Sequence, residues 1–467
     1  MLIGRKKETT HLLEAIKSKE AEFIAITGRR RIGKTYLVRQ VYKDNLAFEI
    51  TGIQNATLQE QLSNFRFSIA QYFEDTVIEK PTNWQHAFEQ LIDLLIINKQ
   101  KTQILFFDEM PWLAGKNPQF LKGLSFFWNS WASKNKIVLI ACGSATSWIV
   151  KQLILNKGGL HNRVTRQIIL RPFSLSETKA YLQSQSIQLN NYQITQLYLT
   201  TGGVPYYLKL VRKGKSVSQI ISALFFDIDA VLKNEFKNLY ASLFLHSEKY
   251  ISVVQACYQK WQGINSKELI AATKLKSGGT LTNMIEDLVM SGFLQEIYPI
   301  NNKSKNKIYR LVDEFSIFYL KYLKAASQTD WQTVSKTPSV SSWQGFAFEN
   351  LCFKHIDRIK DKLGVSGVNS RIYSYKEIGK DTNKGVQIDM IIERDDLIIN
   401  LCEIKFYNKE FVITKQYKEE LEHKIFKLQQ VISRKQTIHL TLITTFGVKE
   451  NKYSNMVQSE IVLDDLF

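Results

Sequence analysis

The chain has 467 residues, 44% of them hydrophobic and 12% aromatic, so it can bury several full cores and is not a disordered or fibrous chain. Lys and Arg number 62 against 44 Asp and Glu, and the formal net charge of +18 makes a polyanion an expected partner. The 4 cysteines form no Cys-x-x-Cys pair, which argues against a disulfide framework or a zinc ribbon. We expect a cytoplasmic protein without a signal peptide or a membrane span, because no apolar stretch follows the basic N-terminus and no window approaches about eighteen consecutive apolar residues.

Three short apolar runs in the first third of the chain predict buried strands, at residues 21–27, 101–109 and 136–144. Helical stretches such as HAFEQLIDLLIINK lie between them. Buried apolar strands that alternate with helices are typical of a mostly parallel sheet. We therefore predict an α/β domain over residues 1–173.

Residues 28–35 read GRRRIGKT and match the pattern GxxxxGK[ST] at every position, between a predicted strand and a predicted helix. Its two glycines let the backbone curl so that N–H groups point at phosphate oxygens, and the helix N-terminus adds positive charge. Lys34 is predicted to reach the β- and γ-phosphates, and Thr35 to offer its hydroxyl to Mg²⁺. The sequence therefore predicts ATP and Mg²⁺ as cofactors. The nucleotide-binding residues predicted in this loop are Gly28, Arg29, Arg30, Arg31, Ile32, Gly33, Lys34 and Thr35.

Two acids end the second predicted strand, which reads ILFFDE. Asp108 would lie beside Thr35 as a second Mg²⁺ contact, and Glu109 is the predicted catalytic residue that polarises the attacking water. Ser144, at the end of the third strand, is either a sensor of the γ-phosphate or a strand-end cap. Arg163 could approach the phosphates of its own copy or of a neighbour, and the simpler interpretation is a surface arginine.

The remainder of the chain divides into four predicted segments. A helical stretch comes first, with Ser176 as an N-cap-like residue. Three short helices and two strands around a polar basic turn then predict a winged helix, and an aromatic connector helix leads to a Ser/Thr-rich linker at 333–342. The segments are 174–240 (helical), 241–312 (winged helix), 313–342 (connector helix and linker) and 343–467 (a C-terminal α/β domain that starts with a helix).

A winged helix would place its third helix, TLTNMIEDLVMSGF, in a DNA major groove. Glu286 and Asp287 in that helix would face phosphates poorly, whereas Lys303, Lys305 and Lys307 in the turn could contact the nucleic-acid backbone. The alternative is an internal packing module with a solvated basic turn.

A second candidate site lies in the C-terminal segment. Asp389 lies on one predicted strand, and Glu403 and Lys405 lie two residues apart on the next, so that they project from the same face. Asp389 and Glu403 could share a divalent cation, with Glu349 from the preceding helix completing the metal cage. Lys405 is the predicted catalytic residue that orients a water, as metal-assisted phosphodiester hydrolysis requires. The alternatives are a solvated strand pair, or an inactivated nuclease fold kept for binding.

Residues 1–240 resemble the archaeal-type ATPases of the STAND branch of AAA-like P-loop proteins. The resemblance is carried by GRRRIGKT, the FFDE strand, CGSATSW, NRVTRQIILRPFSLSE and TGGVPYYL. It implies a P-loop NTPase sheet with a helical lid over 174–240, in which Gly203 and Pro205 touch the nucleotide, and an opening LIGRKKE motif that lies over the adenine. ATPases of this type often assemble through their nucleotide domains, so a homo-oligomer is a further expectation.

The order helix-Glu, strand-Asp, strand-Glu-x-Lys, helix and strand over 343–446 resembles the PD-(D/E)XK nuclease superfamily, as found in the C-terminal domain that often follows this ATPase. The resemblance implies a restriction-endonuclease-like fold acting on nucleic acid. The expected fold class is thus α/β: a P-loop NTPase parallel sheet with a helical lid, a winged helix, and a C-terminal α/β restriction-endonuclease-like domain.

Two functions from different classes follow. In the first, an ATPase controls a C-terminal metal-dependent nuclease. In the second, a regulatory or signalling ATPase binds nucleic acid or a partner protein and never cuts. A helicase-like motor is a weaker third reading, because the sequence shows no second recombinase-like domain.

Overall fold

The computed structural model describes residues 2–73, 78–98, 102–115, 117–155, 157–276, 278–298, 307–324, 331–377 and 385–467. These residues form two compact units. The first unit comprises Met1–Pro172 with Ser242–Leu245, and the second comprises Phe173–Ala241 with His246–Phe467. Within the described ranges, no helix combines the length and the apolar character that crossing a bilayer requires.

The first unit is built around a parallel sheet. The strands described in it are β1 (Glu22–Thr27), β2 (Leu46–Thr51), β3 (Gln103–Asp108), β4 (Ile137–Gly143) and β5 (Arg166–Ile169). They pair in the order β2-β3-β4-β1-β5, and every pairing is parallel. The parallel sheet predicted from the sequence is therefore present, with two strands more than the three predicted apolar runs.

Helices cover both faces of this sheet. Along β1, Phe23 and Ala25 join a cluster rich in phenylalanine, whereas Ile24 and Ile26 join a second, mainly aliphatic cluster. Because successive side chains of a strand point to opposite faces, the two clusters lie on the two sides of the sheet. The helices of this unit are α1 (Lys6–Lys17), α2 (Lys34–Tyr42), α3 (Leu58–Tyr72), α4 (Trp84–Ile97), α5 (Met110–Ala114), α6 (Gln119–Ser130) and α7 (Thr146–Ile149).

The second unit begins with a helical stretch. Its helices are α8 (Leu175–Ser184), α9 (Asn191–Thr201), α10 (Pro205–Lys209), α11 (Val217–Ile221) and α12 (Glu235–Leu243), the last two residues of which are assigned to the first unit. The N-cap of α8 is Ser174 and not Ser176 as predicted. Ser174 Oγ accepts from Glu177 N at 3.2 Å, and Glu177 Oε2 accepts from Ser174 N at 3.0 Å. The Ser-x-x-Glu spacing of this capping box decides where the helix begins.

Three helices and a small antiparallel sheet follow. The elements are α13 (Ser247–Gln259), β6 (Ile264–Asn265), α14 (Ser266–Thr273), α15 (Gly279–Met290), β7 (Leu294–Ile297) and β8 (Ile308–Leu311). The strands pair in the order β6-β8-β7. Of the predicted wing lysines, Lys303 and Lys305 lie outside the described residues, and Lys307 immediately precedes β8.

The C-terminal part of the second unit contains a mixed sheet. Its helices are α16 (Glu314–Phe318), α17 (Trp331–Val334), α18 (Pro338–Lys354), α19 (Ile356–Lys362) and α20 (Lys415–Gln429). Its strands are β9 (Ser370–Glu377), β10 (Val386–Arg394), β11 (Ile398–Lys405), β12 (Thr437–Thr444) and β13 (Ser459–Val462). They pair in the order β13-β12-β11-β10-β9, antiparallel from β9 to β11 and parallel from β11 to β13.

Two features of this part differ from the sequence expectation. The predicted linker at 333–342 is partly helical, because α18 begins at Pro338, a residue well suited to the first position of a helix. Strand β13 was not predicted, since its four residues SEIV are too short for a clear pattern. The cysteines Cys142, Cys257, Cys352 and Cys402 are all free and buried.

Candidate functional site

The phosphate loop, residues 28–33, connects β1 to α2 in the first unit. Gly28 has φ 143°, and a Cβ atom there would lie 2.3 Å from the carbonyl oxygen of Leu170. Gly33, the residue before α2, has φ 89°. Both positions therefore require glycine, and the resulting curl places the start of α2 at the mouth of the loop. The side chain of Ile32 is buried in the aliphatic cluster, so only its backbone is available to a ligand.

Lys34 lies inside this curl. Its Nζ donates to Gly28 O at 2.8 Å and to Arg29 O at 3.0 Å, and the residue is 6% exposed. The loop thus holds a buried ammonium group directly beside the N-terminus of a helix, which is where an anionic group is most strongly attracted.

Thr35 and Asp108, the two predicted Mg²⁺ ligands, are in contact. Thr35 Oγ1 donates to Asp108 Oδ2 at 2.6 Å, and Asp108 is the last residue of β3. A hydroxyl and a carboxylate side by side at the end of the phosphate loop are the oxygen donors that Mg²⁺ prefers, so these residues fit the ion.

Glu109, the predicted catalytic residue, is held by Ser144. Ser144 donates to Glu109 Oε2 through its backbone N–H at 3.0 Å and through its hydroxyl at 2.9 Å. The sequence did not predict this contact, and the two roles proposed for Ser144, a γ-phosphate sensor and a strand-end cap, stay predictions. Ser144 positions the carboxylate of Glu109, which has a left-handed backbone with φ 44°.

Arg5 is a residue of this site that the sequence prediction did not single out. Its guanidinium donates to Ile32 O at 3.2 Å, and the residue is 5% exposed. The sequence feature that could have identified Arg5 is its place in the LIGRKKE motif, where it directly precedes the first helix. Arg163, in contrast, is exposed, as the simpler interpretation of it required.

Gly203 and Pro205 belong to the second unit, at the junction of α9 and α10. Gly203 has φ 66°, and a Cβ atom there would lie 2.3 Å from Phe173 O. Gly203 O also accepts from Phe173 N at 2.8 Å. This glycine therefore has a local structural role, and Pro205 occupies the first position of α10.

The second candidate site brings three of its predicted residues together. Asp389 on β10 accepts from Ile404 N at 3.0 Å through Oδ2. Lys405 Nζ lies 3.8 Å from that same oxygen and 3.5 Å from Glu403 Oε2. The antiparallel pairing of β10 and β11 thus lets Asp389 and Glu403 share one ammonium group.

Further cations and a hydroxyl neutralise the acids of this cluster. Lys424 Nζ donates to Glu403 Oε1 at 2.6 Å, and Tyr417 Oη donates to Glu403 Oε2 at 2.8 Å. Glu349 accepts from the Arg310 guanidinium at 3.2 Å. Sequence reasoning did not identify Arg310, Tyr417 and Lys424 as partners of these acids.

The predicted three-acid metal cage is not formed by Glu349, Asp389 and Glu403. Within the described ranges, no three His, Cys, Asp or Glu side chains are placed to hold a metal ion. The physical reason is that Glu403 and Glu349 are already paired with cations of the protein. A divalent cation shared by Asp389 and Glu403 stays a prediction.

Burial controls the protonation of this cluster. It raises the pKa of Glu349 to about 8, and the nearby charge of Asp389 acts in the same direction. Burial also raises the pKa of Asp389 and lowers that of Arg310. For Lys405, burial acts to lower the pKa, but the carboxylates of Glu403 and Asp389 outweigh it and hold the pKa above its usual range. The cluster is therefore a desolvated network of paired charges.

Comparisons with known proteins include the first site and extend beyond it. Residues 2–211 match the sequence profile of a family described as an ATPase domain predominantly from Archaea. An uncharacterized protein of Methanocaldococcus jannaschii, MJECL04, is 23% identical over 408 residues, which is 85% of each chain. The matched profile includes the phosphate loop, Asp108, Glu109 and Ser144, so the family similarity and the geometry concern the same residues.

Solved structures also show similarity to this chain. The Walker-type ATPase PABY2304 of Pyrococcus abyssi has a TM-score of 0.49 and 17% identity, over 69% of this chain and 96% of that one. The ORC2 protein of Aeropyrum pernix, in ADPNP-ADP complexes, has a TM-score of 0.43 and 13% identity, over 72% and 96% of the two chains. Drosophila ORC bound to DNA has a TM-score of 0.33 and 14% identity, over 69% and 87%.

Proposed function

We propose that this protein binds ATP with Mg²⁺ at residues 28–35 and hydrolyses it slowly, and that its nucleotide state controls a second unit that acts on nucleic acid. The contact between Thr35 and Asp108, beside the buried Lys34, is the observation that carries the first part. It joins two residues that are far apart in the sequence into the donor set that Mg²⁺-ATP requires.

Each residue then has a defined task. Lys34 exchanges its bonds to the loop carbonyls for bonds to the β- and γ-phosphates. Thr35 and Asp108 would hold Mg²⁺, which supplies charge neutralisation between the phosphates when it is bound. Glu109, fixed by Ser144, accepts a hydrogen bond from the attacking water and orients it.

Two substitutions test this assignment by nucleotide affinity and steady-state hydrolysis. Lys34→Ala should weaken ATP binding, because it removes the positive charge from the phosphates. Glu109→Gln should keep the binding and lower kcat by about 100-fold or more, because only the water-orienting carboxylate is lost. Lys17→Ala, a change of an exposed lysine at the end of α1, is the matched control. Equal ATP affinity in Lys34→Ala and Lys17→Ala would overturn the assignment.

For the second unit, we propose that α13–α15 with β6–β8 form a winged helix and that the mixed sheet β9–β13 is a nuclease-like domain. The element order and the shared ammonium of Asp389 and Glu403 support the latter. The pairing of Glu403 with Lys424 and of Glu349 with Arg310 favours a domain that binds nucleic acid without cutting it. The non-cleaving regulatory ATPase is therefore our preferred function, and the metal-dependent nuclease is the second candidate.

A cleavage assay separates the two. Wild-type protein is incubated with single- and double-stranded DNA and RNA, with Mg²⁺ or Mn²⁺, with and without ATP. We expect no cleavage above that of the Asp389→Asn variant. Nicking by the wild type that Asp389→Asn abolishes, with ATP hydrolysis intact, would establish the nuclease instead.

A further inference from the structure

A groove in the second unit runs past Trp261. It consists of two cavities of about 610 Å³ and about 460 Å³, and both are lined by Gln259, Trp261 and Arg310. We call it the Trp261 groove. Glu349 and Asp389 also line the larger cavity, so the groove leads to the carboxylate cluster. Both volumes fall in the range of roughly 300–1,000 Å³ that is typical of small-molecule and nucleotide sites.

Aromatic rings form one wall of the groove. The rings of Trp261 and Phe346 lie 4.0 Å apart between centroids at an interplanar angle of 37°, and Phe346 is 39% exposed. Tyr258 and Trp343 line the smaller cavity together with these two rings. Every nucleobase presents a flat π-face, so such a wall can stack bases of any sequence.

Polar atoms without partners accompany the smaller cavity. Three of the side chains that line it, Arg310, Trp343 and Asn350, are each no more than 5% exposed. Arg310 Nε, Trp343 Nε1 and Asn350 Oδ1 are buried and form no hydrogen bond. Two donors and one acceptor left unsatisfied are costly. The three atoms have almost no accessible surface, so a base in the cavity would satisfy them only if these side chains turned toward it.

Positive charges flank the two cavities. Lys260 and Lys376 line the larger one, and Lys321 lines the smaller one. Lys260 is paired with Glu268 at 2.8 Å, and Lys376 donates to Gln262. Grooves that bind single strands combine lysines, which contact the phosphates, with aromatic rings, which stack on the bases.

We infer that the Trp261 groove binds single-stranded nucleic acid, with one base in the smaller cavity and an adjacent phosphate beside Lys260 and Lys376. A base paired in a duplex cannot enter a cavity of this size without leaving its stack, so the groove selects unpaired strands. This inference rests on the proposal that the second unit acts on nucleic acid, and it names the substrate class. It does not require cleavage.

The test is fluorescence anisotropy of the full-length chain with a labelled oligo(dT) of about 12 nucleotides, in EDTA so that no strand is cut. A duplex of the same length and free dTMP are the competitors. The single strand should bind, the duplex should compete poorly, and dTMP should compete only at far higher concentration. If dTMP competes at the same concentration as the oligonucleotide, the groove binds free nucleotides. If the duplex binds as tightly as the single strand, the groove does not select unpaired strands. Either result overturns the inference.

Variants locate the binding in the groove. Trp261→Ala should weaken single-strand binding by about 5- to 150-fold, the loss that removal of a base-stacking ring causes. Trp261→Phe should recover most of the affinity, which a purely structural role of the indole would not explain. Lys376→Ala should weaken binding and also flatten its salt dependence. Phe426→Ala and Lys213→Ala, which change exposed side chains outside the groove, are the matched controls.

The outcomes separate this inference from the proposed function. Wild-type affinity in a Trp261→Ala protein that melts like the wild type overturns the groove, even if the second unit binds nucleic acid elsewhere. Should Trp261→Ala fail to fold, Trp261→Phe and Lys376→Ala decide, and wild-type affinity and salt dependence in both would again overturn it. Single-strand binding that depends on Trp261 supports the groove whether or not the cleavage assay detects a nuclease.

Discussion

Two hydrogen bonds from Ser144 converge on one carboxylate oxygen of Glu109, at the ends of adjacent strands β3 and β4. The acceptor is a carboxylate and one donor is a rigid backbone N–H, so the orientation of Glu109 is fixed before any nucleotide binds. A catalytic base that is already oriented loses no free energy to reorientation during the reaction.

Ser144→Ala should therefore lower kcat for ATP hydrolysis by about 10-fold, because a hydrogen bond to a charged group contributes roughly 1.5 kcal/mol or more. The affinity for ATP should stay unchanged, and Ser144→Thr should restore most of the rate. Ser130→Ala, which removes an exposed hydroxyl bonded within its own helix, is the control. A loss of ATP affinity with unchanged kcat would instead support the γ-phosphate sensor.

His355 is a second residue whose contacts define its chemistry. Its Nε2 accepts from Leu175 N at 3.2 Å, and its Nδ1 lies 2.9 Å from Leu351 O. The ring is therefore neutral, with the proton on Nδ1. Burial lowers its pKa from 6.5 to about 4. Because Leu175 is the first residue of α8, a protonated ring would lose this acceptor and face a helix N-terminus.

The second unit should consequently lose stability as the pH falls from 6.5 to about 4. In this window His355 is protonated in the unfolded chain but stays neutral in the folded one. The free energy of unfolding should therefore fall by about 1.4 kcal/mol for each pH unit. Above pH 6.5 the contribution is fully present. Urea unfolding of wild type and His355→Gln measures the difference. Identical pH slopes for the two proteins in this window would contradict the assignment, and His161→Gln, at an exposed position, should behave like the wild type.

At the scale of elements, α20 determines the state of the carboxylate cluster. It supplies both Lys424 and Tyr417, which occupy the two oxygens of the wholly buried Glu403. A strand pair alone would leave this acid beside Asp389 with Lys405 as the only counter-charge. The position of one helix against the sheet thus converts a potential cation site into a network of protein charges.

Lys424→Met should destabilise the second unit by about 3 kcal/mol, because it leaves a buried carboxylate oxygen unpaired. The double variant Glu403→Gln/Lys424→Met should be more stable than Lys424→Met alone, since the uncompensated charge is gone. Lys418→Met on the same helix breaks an exposed pair with Glu422 and should cost less than about 1 kcal/mol. Urea unfolding measures all three. A selective stabilisation of Lys424→Met by Mn²⁺ would show that Glu403 accepts a metal and would favour the nuclease.

The elements differ in how far the sequence predicts them. The phosphate loop and its flanking strand and helix are encoded locally, by glycines and apolar runs, and were predictable. Strand β5, with the sequence RQII and only one buried side chain, lies at the sheet edge and lacks the apolar run of a central strand. The partners Arg310 and Lys424 were not predictable, because they approach their acids only through long-range packing of α20 and β8. Motif residues can thus be predicted from their spacing in the sequence. The ion-pair partners that neutralise them cannot.

On the scale of the whole molecule, the ATPase-family profile and the compact units have different boundaries. The profile ends at residue 211, whereas the continuous part of the first unit, to which Ser242–Leu245 is added, ends at Pro172. The helices α8 to α10, with Gly203 and Pro205, thus belong to the ATPase-like sequence and to the second compact unit at once. This overlap is the physical basis for the proposal that the nucleotide state is transmitted to the second unit.

Hydrogen exchange should therefore differ in residues 195–320 between the ADP state and a state with a non-hydrolysable ATP analogue. A switch requires contacts that differ between its two states, and altered amide protection is their direct signature. Strand β12, which is paired on both sides in the mixed sheet, provides an internal control that should not change. Indistinguishable exchange in both nucleotide states would mean that the helical segment is not a switch.

The burial of the cysteines has a practical consequence for following such motions. Burial raises the pKa of all four thiols, so they stay protonated in the folded chain. A thiol-modifying reagent can therefore neither reach them nor find the reactive thiolate. Cys142 lies in the first unit, and Cys257, Cys352 and Cys402 lie in the second. Each thiol becomes reactive only when its own surroundings open. The native sequence thus carries built-in reporters with which the opening of each unit can be timed separately, without an introduced label.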